Sequence, residues 1–165
     1  MEDSKQMVYD YLDKNKISYK VIDHEPVYTM EEMDAYGITS QGNVCKNLFL
    51  RDAKGKRHFL VVLQKDKTAD LKEFRTLLGT TALSFASEER LSKYLGLTKG
   101  AVSPFGILND KDAEVEVVVD QDFANEKNFG CHPNDNTATV ILDFRDIKKM
   151  IKNNGNSLTF IKIKK

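Results

Sequence analysis

The chain has 165 residues, of which 41% are hydrophobic and 30% charged, a composition typical of an ordinary globular domain. Its 25 basic residues balance 25 acidic ones, and this zero net charge argues against strong, general binding to nucleic acid. No apolar stretch approaches the roughly 18 residues that cross a bilayer, and the polar N-terminus does not resemble a signal peptide. We therefore expect one cytoplasmic domain over residues 1–165, with Cys45 and Cys131 as reduced thiols.

The N-terminal part of the chain predicts two helices around a short strand. Apolar residues at helical spacing predict a helix over residues 4–15, and alternation predicts a strand over 18–23. Thr29 and Glu32 have the spacing of a capping box, so a short helix should begin there and stop near Gly37.

The rest of the chain predicts a sheet with helices packed on it. Asn47–Arg51 and Arg57–Gln64 are apolar, and the turn residues between them predict a hairpin. A hairpin among interleaved helices and strands indicates an α+β (mixed α/β) fold with a mixed sheet. Further strands are predicted at 83–86, 114–120, 137–142 and 158–163, and further helices at 70–78, from Ser87 to Gly96, and after 142 to about 153.

Three segments are not explained by packing alone. Lys46 lies where an apolar strand is predicted to begin, and a lysine at the start of a strand is commonly just solvent-facing. The segment 100–106 has two glycines and a proline, and such a loop can direct several backbone N–H groups at one anion or oxyanion. The segment 129–138 reads as a polar loop in which His132 can bind a substrate group, carry a proton or simply cap the loop.

The usual templates for nucleophilic, phosphate-binding and metal chemistry are missing. The chain has no Gly-x-Ser-x-Gly elbow, no phosphate-binding loop and no His-x-x-x-His or Cys-x-x-Cys spacing. We therefore expect no metal and no cofactor. Zinc held by Cys45, Cys131 and His132, or a Cys–His hydrolytic pair, are the weaker alternatives.

Taken together, the three segments resemble a known family, the free-standing prolyl-tRNA editing proteins of the YbaK-like superfamily. The resemblance extends over essentially the whole chain and depends on the order and spacing of its motifs. It includes the His24-Glu25-Pro26 turn. The remaining motifs are Val44-Cys45-Lys46-Asn47-Leu48-Phe49-Leu50, Gly100-Ala101-Val102-Ser103-Pro104-Phe105-Gly106 and Cys131-His132-Pro133-Asn134.

The resemblance implies a mixed, partly barrel-like sheet surrounded by helices, and the hydrolysis of Ala-tRNA(Pro) to alanine and free tRNA. It implies that Lys46 contacts the terminal nucleotide and is needed for activity. The partners it implies are the acceptor end of tRNA(Pro) and, as a further candidate, prolyl-tRNA synthetase. The residues it places in contact with substrate are Asn47, Gly100, Ala101, Val102, Ser103, Pro104, His132 and Asn134.

An aminoacyl ester is already reactive, so its hydrolysis needs a positioned water and a stabilised oxyanion and no covalent nucleophile. We expect Lys46 to supply positive charge and the backbone N–H groups of the 100–106 loop to hold the ester carbonyl, while Asn47 and His132 orient the substrate. Two alternatives stay open: editing of another small aminoacyl group such as cysteine or serine, and a non-catalytic module that binds aminoacyl-tRNA or a synthetase.

Overall fold

The computed structural model describes residues 4–27 and 29–163, in which five α-helices and eight strands are interleaved. A 3₁₀ helix over Pro104–Asn109 follows α4 and borders the candidate site. The α-helices are α1 (Ser4–Lys14), α2 (Met30–Ala35), α3 (Leu71–Leu78), α4 (Glu88–Leu95) and α5 (Phe144–Asn154). The strands are β1 (Tyr19–Asp23), β2 (Asn43–Arg51), β3 (His58–Gln64), β4 (Ser84–Phe85), β5 (Val115–Asp120), β6 (Phe129–Cys131), β7 (Ala138–Leu142) and β8 (Leu158–Ile161).

Local sequence signals set the ends of the helices, as predicted. The Thr29 hydroxyl accepts the Glu32 N–H at 3.1 Å at the start of α2, and the Ser87 hydroxyl accepts the Arg90 N–H at 3.2 Å at the start of α4. Gly79 ends α3 in the left-handed conformation that glycine adopts without a steric penalty. Each of these helices therefore begins or ends on a satisfied cap.

The sheet is mixed, as the fold prediction required, and its strands follow the order β1-β7-β6-β2-β3-β5-β8, with β4 paired to β2. Pairing is antiparallel for β1 with β7, β7 with β6 and β2 with β3, and parallel for β2 with β6, β3 with β5 and β5 with β8. Strand β2 joins two parts of the sheet, because β6 pairs with its first two residues and β4 pairs with its last two. The predicted hairpin is confirmed as β2 and β3.

The core lies on both faces of the central strands. The largest hydrophobic cluster packs α1, α4 and α5 against one face, with Phe105, Phe123, Phe129 and Phe144 fully buried. A smaller cluster places Phe74 of α3 on the other face. Every residue from His58 to Leu63 is buried, as expected for a strand covered on both sides.

Two predicted boundaries in the candidate site are wrong. Strand β2 begins at Asn43 instead of Asn47, so Lys46 is the fourth residue of a nine-residue strand and does not lie at its mouth. The segment 129–138 is not wholly a loop, because Phe129–Cys131 forms β6 between β2 and β7. Both errors have one cause: these residues are held by pairing with strands distant in sequence, which local periodicity does not reveal.

Candidate active site

Strand β2 has a stretch that is paired on one side only. Strand β3 pairs with it from Cys45 to Arg51. On the other side, within the described ranges, β6 reaches only Asn43 and Val44, and β4 reaches only the last two residues of β2. A gap therefore remains in the sheet beside residues 45–48.

The loop between α4 and the 3₁₀ helix approaches this gap. The Asn47 amide Nδ2 donates to the Val102 carbonyl at 3.1 Å and also to Cys45 Sγ at 3.4 Å. The contact between Asn47 and Val102 holds the loop against β2 and leaves a cavity beside the strand.

The cavity has a volume of about 280 Å³ and an opening to solvent. Its walls combine an apolar patch from the α2 region with the polar side chains of Lys46 and His132. The residues that line it are Val27, Thr29, Met33, Val44, Cys45, Lys46, Asn47, Leu48, Gly100, Val102 and His132.

The side chain of Lys46 lies on the opposite face of β2 from those of Cys45 and Asn47, because neighbouring residues of a strand alternate. Its ammonium donates to the Lys67 carbonyl, in the turn that follows β3. The Lys67 ammonium in turn pairs with Asp120 at 2.9 Å and Asp122 at 2.8 Å. A buried ion pair therefore anchors the turn that holds Lys46.

His132 lines the cavity as a neutral imidazole. Its Nδ1 lies 2.9 Å from the Ala138 carbonyl, which can only accept, so Nδ1 carries the proton and Nε2 is an acceptor. Burial lowers the pKa of His132 and outweighs the hydrogen bond to Ala138, which raises it; the nearby His24 lowers it further. The ring therefore presents an acceptor, not a positive charge, at neutral pH.

The 100–106 loop contributes less to the cavity than predicted. Gly100, with φ of 92°, and Val102 line it, and within residues 4–27 and 29–163 their N–H groups meet no protein acceptor. The N–H of Ala101 donates to Thr98, and that of Phe105 to the Ser103 hydroxyl. Two residues of the loop thus line the cavity, instead of the whole loop.

Four predicted substrate-binding residues are not in the cavity wall. Ala101 and Pro104 are buried. Ser103 is fully buried, and its hydroxyl donates to the His132 carbonyl at 2.5 Å, so it connects the loop to the segment that carries His132. Asn134 is buried in a left-handed conformation, and its amide has no hydrogen-bond partner among the described residues. A direct role for these four in binding stays a prediction.

The apolar wall was missed by the sequence analysis. Val27 and Met33 are almost fully buried and pack with Val44 and Ile38. The capping box at Thr29 indicated a helix here, but its inner face could not be assigned to the site because the contact with β2 is made across the fold.

The surroundings of the two thiols disfavour the reactive thiolate form. Both are free and buried, and burial raises the pKa of Cys45 to about 12 and that of Cys131 well above its ordinary value. A thiol that stays protonated is a poor nucleophile and a poor metal ligand. In the ranges that the structure covers, no group of three or more His, Cys, Asp or Glu residues could hold a metal ion.

The cavity thus combines one lysine, a neutral histidine, two residues of the 100–106 loop and a small apolar wall, and comparisons with known proteins give the class of protein. A family described as the aminoacyl-tRNA editing domain matches residues 24–150. The chain belongs to this family, and it is a hydrolase of the aminoacyl-tRNA ester bond.

The chain is also similar to individual members of this family and to a solved structure. The chain is 54% identical, over 98% of both sequences, to the "Prolyl-tRNA editing protein ProX" of Acetoanaerobium sticklandii. It is 28% identical, over 61% of each chain, to the "Multifunctional Ser/Thr-tRNA deacylase ProXp-y" of Escherichia coli K12. A crystal structure described as a candidate trans-editing enzyme for prolyl tRNA synthetase matches 100% of this chain and 99% of its own, with a TM-score of 0.74. At 18% identity, that match shows the fold alone.

Proposed function

We propose that the protein hydrolyses Ala-tRNA(Pro) to alanine and free tRNA(Pro). The observation that carries this proposal is the cavity beside β2, which brings Lys46, His132 and the loop residues Gly100 and Val102 around one small, partly apolar space. At about 280 Å³ it is at the lower end of the range for small-molecule sites, as expected for a pocket that takes only a small amino acid.

The polar groups suit hydrolysis of an ester without a covalent intermediate. The N–H groups of Gly100 and Val102 stabilise the oxyanion that forms at the ester carbonyl. The Lys46 ammonium adds positive charge beside the terminal nucleotide. His132 Nε2 accepts a hydrogen bond from the attacking water or from the substrate's amino group, since its Nδ1 proton is held by Ala138.

The apolar wall supplies the size limit. A synthetase site built for proline rejects alanine poorly, because missing methylenes are worth only about 1–3 kcal/mol of discrimination. The cavity of this protein, closed by Val27, Met33 and Val44, accepts the methyl group of alanine and excludes the larger ring of proline. This is the second sieve of an editing system.

The partner contacts follow from the chain's charge. Because the net charge is zero, we propose that tRNA(Pro) is engaged through its acceptor end and not along its whole backbone. We also propose that prolyl-tRNA synthetase is a partner and that the protein acts in the cytoplasm, where buried free thiols stay reduced. None of the helices in the described ranges has the length and apolarity that a membrane crossing requires.

The second candidate function is hydrolysis of seryl-tRNA, favoured by the similarity to ProXp-y, which is described as a Ser/Thr-tRNA deacylase. The Thr29 hydroxyl in the cavity lining is the group that could accept or donate a hydrogen bond to a serine side chain. The remaining alternatives are Cys-tRNA editing and a non-catalytic binding module, and the deacylation assay distinguishes all of these.

The test is release of alanine from Ala-tRNA(Pro) by the wild-type protein and by Lys46→Ala, with no metal added. We expect rapid hydrolysis by the wild type and a loss of about 100-fold or more in kcat for the variant. Lys148→Ala, on α5, is the matched control because it removes a lysine that is not in the cavity lining. A wild type that binds Ala-tRNA(Pro) without hydrolysing it would make the protein a binding module.

A further inference from the structure

A second cleft adjoins the candidate active site and has no role in the proposed chemistry. Its volume is about 500 Å³, and its apolar lining includes Phe49, Phe85, Ala86 and Leu91, with Lys99 at one side. Phe85 is 62% exposed, the highest value among the exposed large hydrophobic residues of the described chain. An exposed ring is unremarkable alone, but here it borders a concave apolar surface.

The backbone that carries Phe85 is fixed. In β4, Phe85 pairs with Leu50 of β2, and the next residue, Ala86, donates its N–H to the Phe49 carbonyl at 2.9 Å. The backbone of Phe85 is therefore held at a fixed place on the sheet, while the residue stays largely exposed to solvent.

The cleft and the active-site cavity are adjacent. Asn47, Leu48, Gly100 and Val102 line both of them. The hydrogen bond from Asn47 to the Val102 carbonyl thus marks the border between the two spaces.

We propose that this cleft binds the nucleobase of the terminal adenosine of the RNA, with Phe85 as its stacking platform. The inference rests on the proposed function: when the aminoacyl group fills the cavity, the ester places the ribose at the border and the base in the adjoining space. Single-stranded RNA bases are bound largely by stacking on aromatic side chains, and a purine offers the larger face.

The charges around the cleft favour a base over a phosphate. Lys99 is accompanied by the carboxylate of Glu88, which also lines the cleft and would repel a phosphate. An uncharged purine avoids that repulsion, and its exocyclic amino group can donate to a carboxylate. Lys99 is left to contact the preceding phosphate at the edge.

Fluorescence tests the cleft directly, because the chain contains no tryptophan. Phe85→Trp would introduce a single indole at the platform, and the trinucleotide CCA is the probe. We expect saturable quenching by CCA and none by inorganic phosphate. The matched control is Leu77→Trp on α3, where Leu77 is 49% exposed and does not line the cleft; we expect no response to CCA.

Three fluorescence results would overturn the proposal. They are no quenching of the Phe85→Trp protein, equal quenching of both variants, and a change that follows protein concentration without RNA. The last would show that the surface binds a second copy of the chain.

Kinetic measurements distinguish a role of the cleft in binding RNA from a role in the catalytic step. Phe85→Ala should raise KM for aminoacyl-tRNA about 5- to 150-fold, the range for loss of one stacking contact, with kcat within about twofold of wild type. Phe85→Tyr should restore KM, since it keeps the ring. An unchanged KM in Phe85→Ala would refute the platform. If the wild type hydrolyses no aminoacyl-tRNA, the proposed function fails, while CCA quenching still decides whether the base site exists.

Discussion

The buried ion pair between Lys67 and Asp120 anchors the turn that Lys46 contacts. Of the ion pairs in the described chain, it is the one whose loss should lower the stability of the fold most. Lys67 is 7% exposed and Asp120 is fully buried. Burial alone would lower the pKa of Lys67, but its hydrogen bonds to Asp122 and Asp120 raise it above the ordinary value. Asp120 also accepts the N–H groups of Gln64 at 3.3 Å and Asp122 at 3.1 Å.

Lys67→Met should destabilise the protein strongly, because it leaves the Asp120 carboxylate buried without its cation. Breaking such a pair costs about 3–5 kcal/mol. A chain of this length loses about 2–4 °C of Tm for each kcal/mol, so we expect a fall of roughly 6–20 °C. The double variant K67M/D120N should recover part of this loss, because the amide carries no charge. Recovery is incomplete because Gln64 and Asp122 donate to different oxygens of Asp120, and an amide has only one oxygen to accept with.

The assay is urea unfolding of the wild type, both single variants and the double variant, analysed as a double-mutant cycle. The matched control is Arg57→Met, which breaks the partly exposed pair that Arg57 forms with Glu116 at 2.8 Å and should cost about 1 kcal/mol or less. A cost for Lys67→Met no greater than that of the control, or additive single effects, would refute the reasoning.

Three further predictions concern the cavity. Met33→Ala enlarges the apolar wall and should reduce the preference for alanyl over prolyl ester about tenfold, as measured by the ratio of kcat/KM values; an unchanged ratio would place the size limit elsewhere. Gly100→Ala forces a side chain into φ of 92°, a strain of about 1–3 kcal/mol, and should lower kcat with little effect on the rest of the fold. A wild-type kcat would show that the reaction does not depend on the left-handed backbone at Gly100. Because the pKa of His132 is lowered, its neutral form should persist below pH 6.5, and deacylation activity should fall only as the pH drops through that lowered pKa. The stability that neutral His132 contributes to the fold should be complete above the unfolded pKa and should be lost in the same acidic range. NMR titration of the imidazole beside a pH–rate profile tests this, and a His132 that titrates above pH 6.5 would contradict it.

Much of the fold follows from short-range signals in the sequence. The capping residues Thr29 and Ser87, the glycine stop at Gly79 and the apolar run of β3 act within a few residues of themselves, so the pattern alone locates them. The hairpin of β2 and β3 is local too.

The gap that makes the site is not local. It exists because β6 pairs with the first two residues of β2 and β4 with the last two, contacts that join residues 33 to 86 positions apart in the sequence. The three residues of β6 are too few to show a period, and Gly130 lies close to Val44 and Ile141 only in the folded sheet. For the same reason, motif resemblance placed Lys46, Asn47 and His132 in a pocket but could not separate Val102, which lines it, from Ser103, which supports it.

The most direct test of the account is single-turnover deacylation of tRNA(Pro) carrying alanine, proline, serine or cysteine, each with the wild type and with Lys46→Ala. We predict that the wild type hydrolyses the alanyl ester at least about tenfold faster than the others, and that Lys46→Ala loses this activity while remaining folded. Equal rates for alanine and proline, or an active Lys46→Ala protein, would contradict it.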